Sequence, residues 1–359
     1  MPAHYVPILK GKAGEYGALQ VATPQVRAGM TPLIDIPPVP WDYQNDAPAK
    51  AIDDHLAPIA GKLETSWGTD QSLFVDLGLI DQDQQTKDGL HVFTHVLGKT
   101  REKAIQAIPV TGLARADSYQ EAVRIAAQAD NRGVCVRLEP SDFEVSEDLA
   151  PQLESLLGTL GVETAHCDLV IDIQSIYPKQ VSTTTLGIVG TLSLIPQVTA
   201  WRTLTLAASA FPENLSGIRA ATEELLPRSE WLVWQSLATK NLARLPAFGD
   251  YGINNPEMFE MDPRMMSMSA GLRYTTENEW LILKGRGVKK HGFEQFNALC
   301  KKLVARDEYA GQDFSWGDSY IRRCANDEDG PGNATTWRKA GTSHHLAKVV
   351  GQLAALDAS

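Results

Sequence analysis

The sequence predicts an α/β chain folded as a (β/α)8 TIM-like barrel with C-terminal α+β additions. Short apolar segments alternate with longer amphipathic ones along most of the chain. The short segments are rich in Val, Ile and Leu and approach continuous hydrophobicity, as parallel strands covered on both faces do. Roughly eight such units fall within the first 255 residues, the span of a closed barrel of about 250 residues. A doubly wound open sheet is the competing architecture. Its phosphate-binding turn is missing, because Gly11 and Gly14 after the first strand do not follow G-x-G-x-x-G spacing.

Strands are expected over residues 4–10 (HYVPILK), 31–36 (TPLIDI, halted by Pro37 and Pro38), 72–77 (SLFVDL), 107–113 (AIPVTGL), 133–139 (GVCVRLE), 167–173 (CDLVIDI) and 201–209 (WRTLTLAAS). The eighth is either 232–235 (LVWQ) or 247–253 (AFGDYGI). Helical patterns lie between them at 49–63, 86–104, 118–128 and 146–160, and a further one at 212–226 follows the seventh strand. Ala122, Ile125, Ala126 and Ala129 form one stripe. Ser146 is the expected N-cap of its helix, with Glu147 and Asp148 in the positive first turn. Strand–helix repetition of this kind implies a parallel sheet with right-handed crossovers. Beyond residue 255 the pattern changes. A hairpin is expected over 272–283, an amphipathic helix over 292–306, a polar loop over 324–336 and a last helix over 343–356. The expected division is a barrel at 1–255 and an elaboration at 256–359 packed on it.

The chain has 359 residues, 43% hydrophobic and 21% charged, and a net charge of −11. These values exclude disordered, collagen-like and disulfide-stapled classes. The acidic balance argues against a protein coated for duplex binding, while leaving room for a local basic patch. No apolar run reaches the roughly 18 residues that span a bilayer. The start, Met-Pro-Ala-His, lacks a secretory-signal pattern. Cys135, Cys167, Cys300 and Cys324 have no zinc-ribbon or Cys-x-x-Cys spacing. Buried free thiols at Cys135 and Cys167 and a cytoplasmic location follow as expectations.

Barrel enzymes carry their reactive residues at the carboxyl ends of the strands. Nearly every expected strand has an ionisable residue there: Lys10 with Lys12, Asp35, Asp76, Arg137 with Glu139, and Asp172, with Asp250 in the uncertain eighth. Charges in apolar strands are costly unless paired or solvated in a cleft. Lys10, Asp35, Asp76 and Asp172 are therefore the expected catalytic groups. In ILKGKAGEY, residues 8–16, two ammonium groups flank a glycine and could grip a phosphate or carboxylate; Lys10 could also carry a proton, or simply pair with Asp35 or Asp76. The carboxylates could hold a divalent cation or act as acid and base, but no short Asp-x-Asp ligand motif assigns a metal.

Two later segments add candidates for substrate binding beside Lys12 and Arg137. Residues 284–291, KGRGVKKH, form a basic run containing Arg286, read either as an anion site or as a solvated turn. In NATTWRKAGTSHHL, residues 333–346, Trp337 and Arg338 suit stacking and anion binding. His344 is then expected to face a site while His345 points elsewhere, since adjacent helical residues diverge by about 100°. No nucleophile elbow, Walker loop, His-Glu-x-x-His or kinase signature is present.

YVPILKGKAGEY, TPLIDIPP and TWRKAGTSHHL together resemble the beta-protein family of phage and bacterial genomes. The resemblance runs from the first strand to the last helix. It implies a phage-related setting, with a role in phage–host conflict or antiviral defence, and it points to Lys10, Lys12, Asp35, Trp337, Arg338, His344 and His345. It transfers no catalytic role. Local chemistry favours an enzyme, a hydrolase or phosphoester-processing one, acting on a small anionic or phosphate-containing molecule. A non-catalytic binding or scaffold component with a partner protein is the alternative. Nucleic-acid binding through residues 284–291 and Trp337 is the third reading.

Overall fold

A computed structural model describes residues 4–257 and 268–358. Eight parallel strands close into a barrel: β1 (Tyr5–Leu9), β2 (Leu33–Asp35), β5 (Leu73–Asp76), β6 (Ala107–Thr111), β7 (Val134–Leu138), β8 (Cys167–Ser175), β9 (Thr203–Ser209) and β11 (Ala247–Asp250). Around the barrel they run β1-β11-β9-β8-β7-β6-β5-β2, back to β1. Two small antiparallel sheets stand outside it. One pairs β3 (Trp41–Asp42) with β4 (Ala47–Pro48); the other is β10 (Glu223–Pro227), β13 (Glu279–Gly287) and β12 (Ser269–Thr275).

The strands are buried on both faces for the expected reason: helices cover the outside and side chains fill the inside. Val6, Ile8, Leu33, Phe74, Ile108, Val110, Cys135, Val170, Ala207 and Tyr251 form the interior cluster. Strand side chains alternate with period two. Each step of two from that cluster therefore reaches the next inward position. Ile8 leads to Lys10, Leu33 to Asp35, Phe74 to Asp76, Cys135 to Arg137 and Val170 to Asp172. The fold itself thus turns five charged side chains toward the barrel axis at its carboxyl end.

Several expectations are corrected. The eighth strand is β11, whereas residues 232–235 lie within the helix Ser229–Ala238. Trp231, Val233, Trp234 and Leu237 are buried there, and Trp231 stacks on Trp234 at 5.4 Å between ring centroids. A four-residue apolar run does not distinguish the two periods. The helix expected over 212–226 does not form; residues 223–227 instead make β10 against β13. Ser146 is the first helical residue rather than the cap; Val145 holds the cap position. The expected polar loop is shortened at both ends, by the helix Trp316–Ala325 and by the last helix, Ala334–Asp357. Asn333 starts that last helix by accepting a hydrogen bond from the Thr336 amide at 3.1 Å. All four cysteines are buried free thiols.

The last helix packs against the helix Ala13–Gln20 and against β1 and β12. His345 Nε2 lies 2.9 Å from Asp250 Oδ2 on β11, and Tyr5 of β1 donates to Asp250 Oδ1 at 2.5 Å. The C-terminal helix is in this way fastened over the seam where β1 meets β11. A second apolar core, including Leu272, Tyr274, Leu281, Leu283, Phe296 and Trp337, lies between the outer sheet and the C-terminal helices.

Candidate functional site

Arg137 stands at the centre of the barrel mouth. Its Nη1 donates to Asp35 Oδ1 at 2.8 Å and to Asp76 Oδ2 at 2.9 Å. Its Nε and Nη2 donate to Asp172 Oδ2 at 3.0 and 2.8 Å, and Nη2 also reaches the Tyr251 hydroxyl at 2.9 Å. Tyr251 donates in turn to Asp172 Oδ2. All five side chains are buried. Asp35, Asp76, Arg137 and Tyr251 border an open pit of about 390 Å³ further lined by Arg115, Glu139 and Gln174, and Asp172 lies buried behind Arg137.

The three carboxylates differ in how fully they are used. Asp76 accepts from the Gly78 amide at 2.7 Å, from Tyr119 at 3.2 Å and from Arg115 Nη2 at 3.2 Å, besides Arg137. Gly78 permits the Arg115 contact, because a Cβ there would fall 1.8 Å from Arg115 Nη1. Asp172 Oδ1 accepts from the Gln174 amide at 2.9 Å. Among the described residues Asp35 receives only the Arg137 bond, on Oδ1, which leaves Oδ2 without a hydrogen bond, and Asp35 lines the pit.

Electrostatics follow the same division. Burial raises Asp35 to about 6; Arg137 opposes the shift, while Asp76 and Asp172 add to it. Burial also opposes ionisation of Asp76, but Arg115 and Arg137 outweigh it and hold Asp76 below its ordinary value. Burial, then Asp172, pushes the Tyr251 hydroxyl well up. Burial raises the Glu139 carboxyl.

A second recess, of about 160 Å³, opens beside the pit, and Glu257 lines both. Lys10, Lys12, Arg273 and Arg338 line this recess, with Glu15 and Glu213. Lys10 Nζ donates to the Glu257 carbonyl rather than pairing with Asp35 or Asp76. Burial, and then Lys12, lowers Lys10 to about 8. Arg273 Nη1 donates to the Ile253 carbonyl at 2.9 Å and its guanidinium lies over Phe211 at 4.8 Å. Arg338 bonds Asn254 Oδ1. Among the described residues neither guanidinium has a carboxylate ion pair. Burial and the neighbouring Arg338 push Arg273 well below its ordinary value.

The expected residues thus fall into two adjoining groups and three outliers. Asp35, Asp76 and Arg137 meet in the pit, with Asp172 bonded to Arg137 beneath it; Lys10, Lys12 and Arg338 meet in the recess. Arg137 is turned to the carboxylates, so the recess cations stand apart from it. Trp337 is remote from both: it stacks on Phe296 at 4.4 Å in the C-terminal core and donates to the Pro331 carbonyl at 2.7 Å. His344 is held between Asp318 Oδ2 at 2.9 Å and the Thr275 carbonyl at 2.8 Å, against Tyr274. Arg286 borders a different hollow with Glu223, Lys284 and Lys302. Asp250 points outward to His345 and away from the mouth. Among the described residues no group of three or more His, Cys, Asp or Glu side chains is set to hold a metal; between the three aspartates the central position belongs to the Arg137 guanidinium. No described helix is long and apolar enough to cross a membrane.

Sequence reasoning missed Arg115, Tyr251 and Arg273. Tyr251 was reachable, since it follows Ala247 and Gly249 in the inward phase once β11 is chosen. Arg115 and Arg273 carry no local signal, because only the tertiary fold brings a loop and an outer strand to the mouth.

The family model described as Beta protein matches residues 5–351, from β1 into the last helix. The chain belongs to the Beta protein family. A comparison with curated proteins finds no match. The match covers every residue of the pit and the recess, so both are features of the part of the chain that defines membership in the Beta protein family.

Proposed function

We propose that this Beta protein family member is an enzyme using acid–base chemistry on a small molecule that carries a phosphate or carboxylate. The carrying observation is Asp35, a carboxyl with one uncommitted oxygen and a value of about 6, beside a recess lined by four cationic side chains. A catalytic acid or base works best with its pKa near the working pH. The recess is the place for the anionic group, because its guanidiniums meet carbonyls where a ligand anion would offer stronger, charge-assisted contacts. Its volume equals the share of roughly five waters, the scale of one phosphate or carboxylate group. The shared wall at Glu257 lets one ligand place its anion in the recess and its reacting bond over Asp35. Asp76, Asp172 and Tyr251 hold Arg137, and Arg137 orients Asp35. Hydrolysis, with phosphoesters the first class to try, is the reaction this set suits. The resemblance to proteins of phage and bacterial genomes supports a cytoplasmic, phage-related or phage-defence setting.

A ligand-binding role without turnover is the second reading, favoured by the saturation of Asp76, Asp172 and Arg137 by one another. A thermal-shift screen with nucleotides and sugar phosphates, followed by phosphate-release assays on every stabilising compound, separates the two. Turnover abolished by Asp35→Asn supports the enzyme. Stabilisation without any product supports the binding role. No stabilisation by any anionic compound overturns both, because a ligand of the native state raises apparent stability.

A further inference from the structure

A further cavity lies at the other end of the barrel, where the strands begin. It measures about 490 Å³, within the range of small-molecule sites. Val6, Phe74, Ile108, Thr205 and Ala247 line its well. These are inward positions of the barrel, a layer usually filled by bulky side chains. Here two of them are the small Thr205 and Ala247, and the well stays open with a mostly apolar wall.

Its rim is cationic in a chain of net charge −11. Arg132, Arg202 and Arg244 line it, with Asp168 as the carboxylate among the described lining residues. Asp168 is consumed: Arg202 grips it through Nε at 3.0 Å and Nη2 at 2.5 Å, and Thr203 donates to it at 2.7 Å. Arg244 donates to the carbonyls of Trp201 at 2.6 Å and Arg202 at 3.2 Å, and Arg132 Nη1 to that of Ile105 at 3.4 Å. Carbonyl partners leave both guanidinium charges uncompensated. An apolar well beneath surplus positive charge fits one ligand chemistry, an apolar body ending in an anionic head.

We propose that this cavity is a second binding site, for a small amphiphilic anion of the medium-chain carboxylate type, with the chain in the well and the head against Arg132 and Arg244. The site is separate from the mouth. It opens at the end of the barrel that positions no catalytic residue.

Calorimetric titration of the full chain with decanoate, decanol and acetate tests it. Decanoate is expected to bind, decanol at least about tenfold more weakly, and acetate without measurable heat. Arg244→Gln and Arg132→Gln should each weaken decanoate by about tenfold, the scale of one charge-assisted contact. Ala247→Phe, which fills the well, should abolish binding. Equal affinities for decanoate and decanol overturn the proposal, as does unchanged decanoate binding in both arginine variants. The rim variants alter partly exposed side chains, so the test does not depend on Ala247→Phe folding.

Discussion

Arg137 donates from Nε and Nη2 to one and the same oxygen of Asp172, Oδ2, at 3.0 and 2.8 Å. Its remaining nitrogen, Nη1, is shared by Asp35 and Asp76. One planar fork therefore holds three buried carboxylates apart and in place. Removing one partner of a buried ionic group leaves uncompensated charge and costs about 3–5 kcal/mol. Arg137→Met is expected to lose that much stability in urea unfolding. Arg137→Lys should recover only part of it, since an ammonium does not reproduce the fork. A loss below about 0.5 kcal/mol for Arg137→Met would contradict the role given to this residue.

The proposed function places the chemistry on Asp35. Asp35→Asn is expected to lower turnover by about 10²–10⁴-fold, the usual contribution of general acid–base catalysis, with the fold retained by circular dichroism. The linkage has a definite sign. The folded protein holds the Asp35 proton more tightly than the unfolded chain, so this group's stabilising effect is present at low pH and lost as pH rises through about 6. Asp35→Asn should remove that decline. Denaturant unfolding of both proteins at pH 4, 5, 6 and 7 checks it; parallel stability curves would argue against a raised Asp35.

The recess cations should govern affinity more than rate. Lys10→Met and Arg338→Gln are each expected to raise KM, or the Kd for inorganic phosphate, by about tenfold or more. Lys10 is held at about 8, below its unfolded value, so the unfolded state takes up more protons above that pH. Its contribution therefore makes stability rise with pH above about 8, while anion affinity falls over the same interval as Lys10 loses its charge. Phosphate binding that stays constant from pH 7 to 9.5 would place the anion elsewhere.

His345 and Asp250 predict a structural effect without a functional one. Burial disfavours the charged imidazole more than Asp250 supports it, so His345 lies below its ordinary value. Its Nε2 faces Asp250 while Nδ1 faces the Thr275 hydroxyl at 2.8 Å. His345→Ala should destabilise the chain by about 3–5 kcal/mol by stranding Asp250. Phosphate affinity per folded molecule should not change, a point checked by calorimetry below the unfolding range. A tenfold loss of affinity would mean that the last helix shapes the mouth directly.

The barrel was legible because its evidence is local: seven short apolar segments rich in Val, Ile and Leu and an ambiguous eighth, most of them ended by a charge. Asp35, Asp76, Arg137 and Asp172 could be read from strand ends alone, since period two carries the inward phase to the last residue. Trp337 and His344 misled for a physical reason. An aromatic–cation or His pair in sequence looks the same whether it lines a pocket or packs in a core; here Phe296 and Asp318 claim them. Arg273 was invisible, because its alternation between Leu272 and Tyr274 describes an ordinary hairpin strand. The strand at 223–227 was missed because its partner, β13, lies more than fifty residues onward.

The most direct test is a carbon-13 NMR titration of the Asp35 carboxyl, assigned by Asp35→Asn, with and without saturating inorganic phosphate. Free protein should titrate near pH 6, and an anion seated in the neighbouring recess should move the midpoint higher through like-charge repulsion. A midpoint near 4, or one unmoved by bound phosphate, would show that the pit and the recess do not form one site.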